Sequence, residues 1–465
     1  MTFVFFLLAL LFGWMAYNLY YPHFTNPKLS TVSFLTGWLV GELAIHHIIW
    51  QSLLVFLFVW GGAVEGFFGA LGFLMCTAAW LAMAYFYFAS HSAEEEIEMS
   101  LKQGLGPDYR DYIKESLVND FPETLNFKKI RDPRKIVSSQ VETIKDIPYG
   151  NFAQKLDIYR SKKTAEKRPV LLQIHGGAWT EKMGSKNEQA LPLMNHMALR
   201  NWVCVSISYR LSPTATFPDH IIDCKEALVW VKKHISEYGG NPDFVVVTGG
   251  SAGGHLCSLV ALSANDPNFQ PGFEEEDTTV QGAVPFYGVY DFTNADGLHR
   301  NEGLQDIVES SIFKLPMEDH LDDYKNASPL FRINHKAPPF LIIQGDKDTL
   351  VPVETATAFA DKLEEVSDSS VVYAVISGGQ HAFDMFPSIR SEHVKHGVER
   401  YLGWLYSAYL KGAEPENTAQ EGEQTVDLSV EEEAPEVEVK AVEIKAVEST
   451  PEETEVGETQ LETDR

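Results

Sequence analysis

Cysteine is scarce in this 465-residue chain. Only Cys76, Cys204, Cys224 and Cys257 occur, without CxxC or Cys/His metal spacing. A zinc site, a redox pair and a disulfide framework are therefore not indicated, and the apolar stretches around three of them mark core thiols. Positive charge is also short: 37 Lys and Arg face 65 Asp and Glu, a formal charge of −28. With no basic stripe interleaved with aromatics, nothing matches a phosphate backbone, and nucleic-acid binding is not expected. HExxH is absent, and Gly249 to Gly254 is not followed by Lys-Ser/Thr. The metalloprotease and phosphate-loop readings fall with those motifs.

Charge of either sign is nearly missing from the first ninety residues. Thr2 to Tyr21 carries none, and a helix of that length spans about 30 Å, the thickness of a bilayer core. No positive region precedes it and no small-residue cleavage site follows, so an anchor is expected, not a cleaved signal. Gly66 to Ser90 is a second uncharged run, with Trp80, Tyr85 and Tyr87 placed like interfacial aromatics. Between them Thr31 to Val64 is interrupted by Glu42; it is too long for one span and short for two. Three transmembrane helices are expected over residues 1–90. Glu42 and His46 stand four apart, with His47 beside them, and read as a polar pair or interfacial position in preference to a functional site. Lys28, Lys102, Arg110 and Lys114 then share one side, which points to a multi-pass protein of the bacterial inner membrane with its body in the cytoplasm.

Residues 91–144 read as a polar connector and possible cap. Beyond them, apolar β-branched runs (Val170–Ile174, Val203–Tyr209, Phe244–Val247, Val280–Phe286, Phe340–Ile343, Val371–Ile376) alternate with helical patterns (Pro218–Tyr238, Ala252–Ser263, Glu354–Val366, Ser388–Leu410). Near-continuous apolar strands separated by helices predict an α/β body over 145–411, its mostly parallel sheet covered on both faces. Tyr290 to Lys336 lacks a clear strand and reads as a cap insertion. From Gly412 to Arg465 the chain holds 18 acidic and 3 basic residues, and this acidic tail is expected to be disordered, a solvating segment in preference to a docking site for a protein partner.

The chemistry is carried by Gly249-Gly250-Ser251-Ala252-Gly253, directly after the strand Phe244–Val247 and opening a helix. A serine at such a strand-to-helix turn is pushed outward, and small neighbours are needed for strand and helix to approach. The helix N-terminus favours negative charge on a tetrahedral intermediate. Upstream, Val170–Ile174 runs into His175-Gly176-Gly177-Ala178-Trp179, and the N–H groups of Gly176 and Gly177 are expected to complete an oxyanion hole with that of Ala252. Serine needs a base and an orienting acid, which follow in the order Asp, His: one strand ends in Gly345-Asp346-Lys347-Asp348, the next in Gly378-Gly379-Gln380-His381. Asp348 is preferred to Asp346, which is better placed to cap the turn. His393 and His396 sit in a helix and read as surface residues. Trp179 and Tyr287 are weak candidates for a substrate pocket, since aromatics at strand ends are more often core.

HGGAW, GGSAGG, GDKDTLVP and the His381 loop together resemble the hormone-sensitive-lipase-like branch of α/β-hydrolase carboxylesterases, with its feruloyl-esterase-like and arylformamidase-like relatives. The resemblance covers roughly Lys145 to Leu410 and implies the α/β-hydrolase fold and cofactor-free cleavage of carboxylic esters through an acyl-enzyme; the membrane anchor, outside the match, points to a small-molecule or lipid-like ester as substrate. Gly250 departs from it, standing where many of these enzymes carry an acidic residue. Two alternatives stay open: other acyl chemistry on the same serine (amide, formamide or peptide hydrolysis, lipid acyl transfer), and a catalytically silent membrane scaffold.

Overall fold

The computed structural model describes residues 1–118, 124–134, 136–163 and 165–413, and Met1–Pro415 form one compact unit. The acidic tail lies, past its first two residues, outside the described part.

Four apolar helices come first: α1 (Thr2–Tyr20), α2 (Pro27–Glu42), α3 (Ala44–Trp60) and α4 (Gly66–Ala89). α1 and α4 run in the same direction, since Phe5 lies against Gly72 and the Tyr20 ring meets Phe86 at 5.7 Å. α3 runs the opposite way, with Phe5 stacked on Phe58 at 5.7 Å and Phe12 edge-on to Trp50 at 5.5 Å. By length and composition α1 and the run Gly66–Leu105 can cross a membrane, and α2 with α3 adds a third crossing only if that pair counts as one span. The pair is bent by 91° at Leu43, so Glu42 and His46 do not share a helix face as their spacing predicts.

In the stretch read as a connector, α5 (Ser92–Leu105) lays Ala93, Ile97 and Leu101 into the core beside the last strand and last helix, followed by single turns α6 (Glu115–Val118) and α7 (Phe127–Arg131). The sheet has eight strands: β1 (Val141–Tyr149), β2 (Gln154–Ser161), β3 (Arg168–Ile174), β4 (Val203–Ile207), β5 (Gly240–Gly250), β6 (Gly282–Phe286), β7 (Phe340–Gly345) and β8 (Val371–Ile376). Their order is β1-β2-β4-β3-β5-β6-β7-β8, with β1 and β2 antiparallel to their neighbours and all others parallel. β1 and β2 escape a search for apolar runs because both are charged. β1 is an edge strand that tolerates Pro148, and β2 buries Asp157 against Lys186 Nζ.

Helices cover both faces: α8 (Leu191–Leu199), α9 (Asp219–His234), α10 (Ala252–Leu262), α11 (Gly303–Ile307), α12 (Leu321–Ala327), α13 (Val353–Val366) and α14 (Ile389–Ala413). The period-2 geometry of a strand splits the core into two layers. Val170, Leu172 and Ile174 of β3, with Val245 and Val247 of β5, face the layer that holds α9, α10 and α13. Leu171, Phe244 and Val246 face the layer of α5, α8 and α14. All four cysteines are buried free thiols. His393 and His396 are not surface residues. α14 packs on the sheet alongside α5, and both rings are buried, His393 against His91 (3.2 Å) and His396 beside His196.

Candidate active site

β5 ends at Gly250 and α10 begins at Ala252, so Ser251 alone turns the corner, at φ 59° and ψ −122°. That conformation costs a non-glycine residue about 1–3 kcal/mol. It is held by the Ser251 N–H donating to Phe286 O (3.0 Å) and the Ser251 carbonyl accepting from the His255 N–H (3.0 Å). Gly250 must lack a side chain, because a Cβ there would stand 2.7 Å from Tyr287 Oη and 2.8 Å from its ring. Tyr287 thus occupies the place of the acidic side chain that the resemblance leads one to expect. Its hydroxyl donates to Asp384 Oδ1, and its ring packs 4.6 Å from that of His381, so a carboxyl group arrives beside the histidine from its own loop. Burial pushes both the Asp384 carboxyl and the Tyr287 phenol above their ordinary pKa values.

Asp348 and His381 leave the same edge of the sheet as Ser251, from the ends of β7 and β8. His381 Nδ1 lies 2.7 Å from Asp348 Oδ2, and a carboxylate only accepts, so the ring donates and its Nε2 is turned to other use. Gln344 Nε2 also donates to Oδ2 (3.1 Å), and the N–H groups of Leu350 and Val351 donate to Oδ1 (2.9 and 2.8 Å). Four donors therefore fix the Asp348 carboxyl. Asp346 accepts instead from the Gly378 N–H (2.6 Å) and has no contact with His381.

After β3 the chain turns sharply. Gly177 sits at φ 116°, where an added Cβ would run into the Met183 carbonyl. The expectation for Gly176 requires correction: its N–H donates to Gln189 Oε1 and is not free for a substrate. Among the described residues the N–H groups of Gly177, Ala178 and Ala252 find no protein acceptor. Ala178, which the motif contains but spacing did not single out, faces the same cavity as Ser251. His175, ahead of these glycines, stacks on Tyr209 at 4.5 Å, and burial lowers its pKa to about 4.

Ser251 and His381 both line one cavity of about 220 Å³, walled mainly by apolar side chains that include Trp179, Val289 and Leu350. Trp179 lines it while fastened from behind, its Nε1–H donating to His255 Nδ1 (3.2 Å). Tyr287 is not among the lining residues, because its hydroxyl and ring are engaged by Asp384 and His381. The cap has two parts. The insertion between β6 and β7 contributes Asn301, Gly303, Leu304 and Ile307; α2 contributes Pro27, Ser30, Thr31 and Phe34. A sequence signal for the second part exists in hindsight: Ser30, Ser33, Gly37 and Gly41 put a stripe of small residues on one side of an otherwise apolar helix, as close packing against protein requires. A larger cavity of about 550 Å³ between α7, α8 and α14 holds none of these residues.

An eight-stranded sheet in this order, with a strained serine on the turn after β5, defines an α/β-hydrolase. A family model described as BD-FAE matches residues 156–363, a range that holds Ser251 and Asp348 and stops before His381. The probable carboxylic ester hydrolase LipM of Mycobacterium tuberculosis (strain H37Rv) is 44% identical over 353 residues, covering 74% of this chain and 80% of its own. Esterase LipQ of the same organism is 41% identical over 328 residues, covering 69% and 76%. The chain belongs to this family of carboxylic ester hydrolases, the hormone-sensitive-lipase-like esterases of the α/β-hydrolase fold.

Proposed function

We propose that the chain is a membrane-anchored serine esterase in which Ser251 is the nucleophile, His381 the general base and acid, and Asp348 the group that orients the imidazole. The observation that carries this reading is the 2.7 Å bond from His381 Nδ1 to Asp348, with His381 and Ser251 facing one apolar cavity. Bonded at Nδ1, the ring presents a basic Nε2. That nitrogen takes the Ser251 proton as Oγ attacks the ester carbonyl, then returns it to the departing alcohol. The charge that forms on the carbonyl oxygen meets the free N–H groups of Gly177, Ala178 and Ala252, with the α10 N-terminus behind them. Water then repeats the sequence on the acyl-enzyme and releases the acid. Every group needed comes from the chain, so the mechanism calls on no cofactor or metal.

The apolar N-terminal helices supply the anchor. With α3 taken as the third crossing by itself, its 17 residues at the short end of a span, α1, α3 and α4 alternate in direction, and the ends of α1 and α4 nearest the body lie on the side of Lys28, Lys102, Arg110 and Lys114. The positive-inside rule then puts the body at the cytoplasmic face of a bacterial inner membrane.

Labelling of the purified, detergent-solubilised protein with a fluorophosphonate tests the assignment. Wild type is expected to be labelled and to hydrolyse p-nitrophenyl acetate, and Ser251→Ala to lose both, with a fall in kcat on the order of 10⁶-fold. A folded wild type that resists the probe would sink the reading.

A further inference from the structure

α2 does not run with the other N-terminal helices. It lies across the mouth of the site, and four ties hold it there. Ser30 Oγ donates to Thr349 O and Thr349 Oγ1 donates back to Ser30 O (3.0 Å), one residue from Asp348. Phe34 sets its ring edge-on to His381, with centroids 5.8 Å apart. Trp38 stacks on Phe386 at 5.1 Å, and Glu42 pairs with Arg390 and Ser388. The site is incomplete without this helix, since Pro27, Ser30, Thr31 and Phe34 form one of its walls.

Away from that wall α2 is apolar and uncovered: Leu29, Val32 and Leu35 are 47%, 42% and 44% exposed. Large apolar side chains are exposed on the neighbouring helices too, Ile49, Leu53 and Phe56 on α3 and Trp14 and Tyr17 on α1. Thr31 and Met183 are exposed and also line the cavity, so its mouth opens at the edge of α2 next to those side chains. The cavity itself, about 220 Å³, is below the ~300–1,000 Å³ of sites that enclose a whole ligand.

We infer, on the basis of the membrane-anchored esterase reading, that α2 lies along the bilayer surface as the gate of the site and that the substrate is an amphiphilic lipid ester. One arm enters the cavity while the apolar remainder stays in the lipid against Leu29, Val32 and Leu35. A helix with one face on protein and the other immersed at the headgroup boundary is stable for the same reason as any interfacial helix, the transfer of its apolar side chains out of water.

The test compares two substrates on full-length protein reconstituted in phosphatidylcholine vesicles: 4-methylumbelliferyl palmitate dissolved in the bilayer, and p-nitrophenyl acetate in the water. The variant Val32→Glu/Leu35→Glu alters only the outward side of α2. It is expected to lower turnover of the bilayer ester about tenfold or more while leaving the soluble ester within about twofold, with fluorophosphonate labelling intact. Leu29→Gln, which adds no charge, is expected to give the same asymmetry at smaller amplitude and stands in if the double variant does not fold. Equal turnover of the bilayer ester by wild type and variants, or a parallel fall on both substrates, overturns the gate. Wild type that hydrolyses neither ester overturns the esterase reading beneath it.

Discussion

Asp346 and Asp348 stand two positions apart in one loop and have unlike surroundings. Asp348 is closed in by four donors including His381, whereas Asp346 holds the Gly378 amide of the neighbouring loop. Asp348→Asn is therefore expected to reduce kcat on the order of 10⁴-fold, because an amide at that position favours the wrong imidazole tautomer. Asp346→Asn is expected to cost less than about tenfold and to act through the loop, at about 1 kcal/mol of stability for a weakened hydrogen bond. Paired measurement of kcat and of the urea midpoint for both variants checks this, and equal loss of kcat in the two would reverse the assignment. The same loops show why residue types alone mislead. The Gly176 N–H belongs to a motif that suggests an oxyanion donor, yet Gln189, thirteen residues on, already occupies it.

Glu42 and Arg390 join α2 to α14. Their side chains are 1% and 2% exposed, and Arg390 further donates to Ser377 O (3.1 Å) and sits over the Phe86 ring. A buried pair adds little net stability, but breaking it leaves an uncompensated charge. Glu42→Gln is expected to destabilise the protein by about 3–5 kcal/mol, seen as a lower melting temperature in detergent, and Glu42→Met/Arg390→Met to recover most of that loss. Recovery absent from the double variant would show that packing around the pair, not its charge, holds α2 to the body. Read from the sequence, Glu42 is a charge stranded in an apolar segment. Its partner lies 348 residues away, a distance that no helical spacing reports.

Burial lowers the pKa values of several enclosed histidines, among them His175 to about 4 and His220, His255 and His396 to about 3. Each stays neutral in the native state, while the unfolded chain takes up a proton below about 6.5. Their contribution is thus complete above that pH and is lost as pH falls toward the native values, at up to about 1.4 kcal/mol per pH unit for each group. The urea midpoint is expected to drop between pH 7.5 and pH 5.5, and His255→Phe to flatten the slope by about one proton's worth. An unchanged slope in that variant would mean that His255 carries its proton in the native state.

The periodicity of apolar residues and the small side chains around Ser251 determined the class of fold, the parallel strands and the serine turn, because those features obey local rules: strand period, left-handed backbone, close approach of strand and helix. The charged strands β1 and β2 do not show in that periodicity, since their burial depends on partners such as Lys186 for Asp157. Three things were settled only by tertiary packing. Tyr287 fills the space that Gly250 leaves, Gln189 takes the Gly176 amide, and α2 turns by 91° to cover the site. Each is a contact that strand and helix periodicity does not report, and such contacts are chosen by which surfaces fit once the core has formed.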